Sequence, residues 1–405
     1  MSACRAATLL WLAAAALPWA PGVQTAEPPA ALPRAAAATG REPRPQLTAE
    51  DAARHRIADY LAQGPGAFEP LTRAVIDAMA ADWVVDAAGT GTHRSVQAAI
   101  DAVPAAGADV RAGAGVRRFV IDIRPGTYRE ALCVRDKAPL LLRGVAADPA
   151  AVRLVEGRWN GRPKRAGEPA HPCFPALEAT SHGTSGSTSV ALFSDDVVVA
   201  HLTVANDATE GGASVEGGTQ AVALTTAGDR IQLENLRLTS HHDTFYARRR
   251  ERERPARVFV RASFIAGDVD FVFGNATLVI AGSTLHSRAD RQGERRGAAA
   301  GGIVLAPSTP PAVPLGFLVT HSRFTADAAH LASKRGHVAL GRAWDQGVAR
   351  GRWAAGESPN GQALVRESEL GVHIGPWVDS TAARPAPAVG AEAHRLAEFR
   401  NRSAP

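Results

Sequence analysis

The chain has 405 residues, 45% of them hydrophobic and 21% charged, with a formal net charge of +5. That length supports one large elongated domain or two ordinary ones with a substantial core, and the composition is that of a globular rather than a disordered chain. The positive charge is nearly all arginine, with lysine only at Lys137, Lys164 and Lys334; it suits an acidic partner, but genomic base composition gives the same bias, so charge alone selects no function.

Residues 1–26 carry the pattern of a secretory signal: Arg5, the apolar stretch TLLWLAAAAL at 8–17, and small residues in APGVQTA at 20–26. Export is therefore expected, to a periplasm or out of the cell. The apolar stretch is too short to span a membrane and no later run reaches that length, so no membrane partner is expected. Cys133 and Cys173 are left for the mature chain, and the sequence leaves open whether they pair. Residues 27–47 are Ala/Pro/Arg-rich without periodicity and read as a flexible leader. TAEDAARHRIADYLAQG (48–64) and FEPLTRAVIDAMAADW (68–83) predict two helices, the first capped by Thr48, placed as a cap on the open end of the main domain. VVDAAGTGTHRSVQAAIDAVP (84–104) predicts a strand, a Gly-rich turn and a short helix opened by Ser95. The main domain is expected to span 84–402.

Beyond residue 104, short β-rich runs recur: VVVAHLTV (197–204), IQLENLRL (231–238), VFVRASFI (258–265), LVIAGSTL (278–285), FLVTHSRF (317–324) and ALVRESEL (363–370). The last four share a register that places Ser263, Ser283, Ser322 and Ser368 at one position, with Leu202 and Leu236 there in the first two. Equivalent positions step by 34, 27, 20, 39 and 46 residues. A minimum near twenty with irregular additions predicts a solenoid whose coils carry loops of different length. Strands this short without intervening helices argue against a doubly wound α/β fold. The expectation is an all-β parallel β-helix; a β-sandwich is the alternative.

In such a solenoid, residues one coil apart stack at about 4.8 Å. Gln220 in TQAVALTT, Asp243 in SHHDTFYA and Asp270 in GDVDFVFG follow one another at 23 and 27 residues, so the spacing predicts a polar row with two carboxylates in reach of each other. Two close carboxylates do not both ionise easily, which separates an acid from a nucleophile or base.

Five segments in order, GTYRE (126–130), QAVAL (220–224), HDTFY (242–246), DVDFVFG (268–274) and LGRAW (340–344), resemble the pectin methylesterases, carbohydrate esterases that demethylate homogalacturonan. AAGTGTHRSVQAAIDAVP (87–104) and AEFRN (397–401) extend the resemblance over about 84–402. The resemblance implies a right-handed parallel β-helix. It implies Asp270 as nucleophile on the C6 methyl ester, Asp243 as general acid and then base, and Arg342 hydrogen-bonded to the nucleophile. Gln220 is implied as an oxyanion donor, and Trp344 and Phe273 as aromatic residues against the sugar rings. Two departures stand out. His242 replaces the family's usual glutamine, the second oxyanion donor, and Ala343 replaces a proline of backbone function. The implied partner is methyl-esterified pectin, with no metal, cofactor or nucleic acid and a monomeric chain.

Other polar residues read structurally. Asp268 is expected at a turn capping the coil. His241 and His242 point to opposite faces of a strand and do not easily share a metal. RRRERERPAR (248–257) reads as a solvated loop, or as a cleft flank meeting galacturonate carboxylates. Tyr128 and Glu130 read as structural. The rival functions are a catalytically silent polysaccharide-binding solenoid, an esterase or thioesterase on a smaller acyl group, and, more remotely, a polysaccharide lyase.

Overall fold

The computed structural model describes residues 44–404 except 108–110, 113–114, 176–179, 214, 292–300, 387 and 389–392. The signal and most of the leader lie outside the described residues.

Three parallel sheets form the faces of a prism. The first has ten strands, from Trp83–Val85 to Arg395–Phe399. The second has nine, from Gly126–Arg129 to Arg402–Ser403, and the third eight, from Leu132–Val134 to Ile374–Trp377. Each coil visits the three sheets in turn and pairs in parallel with the coil before it, which is the parallel β-helix and rules out the sandwich. Only one antiparallel sheet appears among the described residues, the two-residue ribbon Arg111–Ala112 with Gly115–Val116.

Each β-rich run is two strands rather than one. Val197–Ala200 belongs to the first sheet and Thr203–Asn206 to the second. Between them the backbone turns at a left-handed residue, His201 (φ 58°), and the same corner recurs at Asn235, Ala262, Gly282, His321 and Glu367. Alternate residues such as Val197 and Val199 fill the interior, and Val199, Leu233, Val260, Ile280, Val319 and Val365 form one apolar column within the main core. The periodic serines line the corner. Ser283 Oγ accepts from the Ser263 backbone N–H (3.1 Å), Ser322 Oγ from Ser283 (3.2 Å) and Ser368 Oγ from Ser322 (3.1 Å). Asn401 ends this ladder by accepting from Ser368 (3.1 Å). Each serine in turn donates to a carbonyl two residues back, so buried backbone donors at a bend the sheets do not satisfy acquire partners.

The N-terminal helices do not cap the solenoid. The cap is helix α4 (Val96–Ala102), whose Val96, Ala99 and Ile100 are fully buried in the main core. Ser95 caps it, and Glu130 accepts from Ser95 Oγ (2.6 Å) and from the Val96 and Gln97 N–H groups. That is the structural role read for Glu130. Helices α1 (Ala49–Ala53), α2 (Ile57–Leu61) and α3 (Arg73–Ala78) are shorter than predicted. They lie along the outer face of the first sheet: Ala52, Tyr60 and Leu61 pack on Phe259, Val279, Leu318, Leu364 and Phe399, and Ile76 packs on Val120, Leu141 and Val198. This segment runs from the last coil back to the first. Arg44 pairs with Glu398, Arg366 donates to Ala52 and His55 carbonyls, and the wholly buried Arg257 reaches Leu61, Pro65 and Gly66 carbonyls. Arg143 then binds the carbonyls of Ile76, Asp77 and Met79. Residues 44–47, the end of the stretch read as flexible, are thus docked on the last coil. Cys133 and Cys173 are disulfide-bonded, tying a long loop to the third sheet.

Candidate active site

Asp243 and Asp270 occupy equivalent places on neighbouring coils. Phe245 pairs with Val272 in the third sheet, and the Asp243 N–H donates to the Val269 carbonyl (3.1 Å), so the two aspartates are in register just upstream of the strands. Both have left-handed backbones, φ 66° and 48°. Asp tolerates that region better than most residues, at a cost of order 1 kcal/mol each. Gly267 makes room for the turn: a β-carbon there would come within 2.3 Å of Phe271 Cβ and 2.6 Å of the His241 carbonyl oxygen.

Arg342 reaches the pair from the strand Val338–Gly341. It donates through Nε to Asp270 Oδ1 (3.1 Å) and through Nη2 to Oδ2 (2.5 Å). This fork fixes the plane of the carboxylate. Asp243, 8% exposed, receives no such fork. Burial, and then the charge of Asp270, push its carboxyl well above the usual carboxylate range. The two acids are thus differentiated by environment into a charge-paired one and one whose charged form is disfavoured.

Both line a cleft of about 360 Å³ with Gln220, His242, Tyr246, Phe273, Arg342 and Trp344. Tyr246 stacks on Phe273 (centroids 4.3 Å apart, planes at 11°), and Trp344 meets both edge-on. The cleft therefore joins an aromatic floor to an acid pair. Every residue the sequence proposed for the site is brought together here. The row is less regular than predicted, however. Leu224 pairs with Phe245, a step of 21 residues, so the register sets Val222 opposite Asp243 and Gln220 enters from two residues upstream.

His242, Asp243 and Asp270 each offer a ligand atom within 4.8 Å of the others. As a divalent cation site the trio fits poorly. Burial disfavours the charged form of Asp243 that a cation would need, and Asp270 is already engaged at both oxygens by a guanidinium that would repel a dication.

Residues 176–348 match the pectinesterase family. A pectinesterase from Ralstonia solanacearum is 35% identical over 386 residues, covering 91% of this chain and 93% of that one. This chain belongs to the pectinesterase family. Pectinesterase B of Dickeya dadantii is 33% identical over 364 residues, covering 82% and 80% of the two chains. The structure of rice weevil pectin methyl esterase covers 90% of this chain and 98% of its own at 28% identity, with a TM-score of 0.74. The chain is accordingly an esterase.

In this pectinesterase several polar residues depart from the sequence reading. Asp268 lies at the bend after Phe264–Gly267, as expected, but it is also buried and ion-paired with the buried Arg291. The charge run is not simply solvated. Arg249 is buried, donating to the Asn275 and Arg254 carbonyls, while Arg250 and Arg254 pair with Asp136 and Asp195. Arg248 lies over the Tyr246 ring, 5.3 Å from its centroid. His241 turns from the cleft to bind Thr209 and Asp290, as its opposite face requires. Sequence reasoning missed Thr184 and Ser185, on the single helical turn Gly183–Gly186, and Thr381 in a turn, which line the cleft from segments without periodicity. It also passed over Tyr246, whose signal was its place in HDTFY.

Proposed function

We propose that the chain hydrolyses the C6 methyl esters of homogalacturonan. The carrying observation is the divided acid pair: Asp270 held by the Arg342 fork beside a buried Asp243 whose carboxyl is pushed toward the neutral form. Asp270 attacks the ester carbonyl carbon, and the carbonyl oxygen becomes an oxyanion flanked by Gln220 and His242. The buried Oε1 of Gln220 has no hydrogen-bond partner among the described residues, so no bond opposes turning its amide N–H toward that oxygen. Asp243 transfers its proton to the leaving methoxy oxygen and methanol departs, leaving an acyl anhydride on Asp270. The Asp243 carboxylate then takes a proton from water, hydroxide attacks the acyl carbon, and galacturonate leaves as Asp270 is freed and Asp243 is protonated again. Tyr246, Phe273 and Trp344 supply flat apolar area against sugar rings. No step requires a cofactor. The N-terminal pattern and the disulfide support an exported protein acting on extracellular polymer.

The test is methanol release from highly methylated pectin by the parent, Asp270→Asn and Asp243→Asn, with small esters and thioesters in parallel. Release that disappears in Asp270→Asn carries the reading. Turnover of the small esters or thioesters without methanol from pectin would replace pectin with a smaller acyl substrate.

A further inference from the structure

Behind the cleft a hydrogen-bonded chain ends on His242. Asp268 is ion-paired with Arg291 Nε. Arg291 Nη1 donates to Thr219 Oγ1 (3.0 Å), and Thr219 Oγ1 lies 3.0 Å from His242 Nδ1. The other ring nitrogen, Nε2, stands 3.4 Å from Asp243 Oδ1 in the cleft. Arginine can only donate. Thr219 accepts from it, which leaves its own single hydroxyl hydrogen to place. If His242 carried its proton on Nδ1, two donors would converge on the threonine oxygen and the hydroxyl hydrogen would lose its partner in the ring. If Nδ1 is bare, Thr219 donates to it and the threonine hydroxyl hydrogen has its acceptor in the ring.

We propose that Asp268, Arg291 and Thr219 are positioning residues that hold His242 as its Nε2–H tautomer, making it a hydrogen-bond donor to the oxyanion. The inference rests on the esterase mechanism proposed above. It assigns a use to Asp268: the acid anchors the guanidinium that polarises Thr219. It also explains how an imidazole serves where an amide would otherwise donate. A bare nitrogen facing the oxyanion would repel it, so a donor there requires the tautomer to be fixed from behind. The distances suit the role, because a ring nitrogen of His242 lies within 4.8 Å of an Asp270 carboxylate oxygen, close enough for both residues to meet one ester group.

Two measurements test it. The ¹⁵N shifts of histidine-labelled full-length protein, with the His242 signal assigned by its loss in His242→Ala, should show an unprotonated Nδ1 and a protonated Nε2. Thr219→Val should average those shifts. Kinetically, Thr219→Val should lower kcat about three- to tenfold with KM little changed, and should have no further effect in the His242→Ala background. An Nδ1–H tautomer in the parent, or an equal loss from Thr219→Val in both backgrounds, overturns the proposal. The NMR result stands whether or not the parent releases methanol, so failure of the tautomer assignment is distinguishable from failure of the pectin reading.

Discussion

Replacing Arg342 separates holding a nucleophile from binding a polymer. In Arg342→Lys the positive charge remains, but only one of the two oxygens now bonded at 3.1 and 2.5 Å can be satisfied. A charge-assisted hydrogen bond contributes about 1.5–3 kcal/mol. The arginine side chain is 23% exposed, which keeps the figure toward the lower end. Loss of one bond thus lowers kcat about 10- to 100-fold, at roughly tenfold per 1.4 kcal/mol. Arg342→Gln, which also removes the charge, should cost about 10²- to 10⁴-fold. It should further raise the Asp243 carboxyl, because Arg342 is a charge that lowers it; the alkaline limb of the activity profile, where Asp243 loses its proton, then moves to higher pH. The assay is initial-rate methanol release across substrate concentration and pH. Arg342→Lys within threefold of the parent kcat, or a change confined to KM, would refute the assignment and make Arg342 a polymer contact.

Three further outcomes are expected from the fold. Cys133→Ser opens a cross-link spanning 40 residues, worth about 4 kcal/mol in the chain-entropy account, so Tm should fall about 5 °C and the parent should show the same loss in reductant. Burial pushes His55, His373 and His394 down to about 4 and His171 to about 3. The unfolded chain takes up these protons below about pH 6.5 and the folded chain does not. Their contribution is complete above pH 6.5 and is lost as pH falls toward 4, at about 2 kcal/mol per histidine by pH 5; urea midpoints flat between pH 7 and 5 would contradict this. Arg257→Met removes a wholly buried guanidinium that binds Asp229 and three carbonyls of the N-terminal segment. About 3–5 kcal/mol should be lost, together with faster proteolysis within 61–72; unchanged cleavage there would show that Arg257 does not hold the segment.

The solenoid was legible because its repeat is written in side chains that face inward or bond at the corner. Valine and leucine alternation marks the strands, and the serines mark a ladder whose bonds require that residue on successive coils. Asp243 and Asp270 were found because a coil converts 27 residues of sequence into one strand spacing. The corner that splits each run into two strands was invisible, since its left-handed residue is His, Asn, Ala, Gly or Glu in different coils. The partner of Asp268 was equally hidden: Arg291 lies 23 residues away in a loop, and nothing in DVDF indicates a guanidinium behind it. The Thr48 cap correctly indicated a helix start within 48–83 but not the surface these helices cover, because an apolar stripe fits a solenoid's flank as well as its end.

The course of residues 44–83 along the first sheet has a consequence for how the molecule comes apart. In a linear stack each layer senses only its neighbours, so terminal coils fray independently of the middle. Here one covalent strand is fastened to the coil that finishes the stack, to interior coils through Arg366 and Arg257, and to early coils through Arg143. Peeling the last coil therefore pulls on contacts made far up the axis. The strap makes distant coils mutually dependent, so the catalytic coils at the centre share the stability of both ends and the domain should melt as one unit.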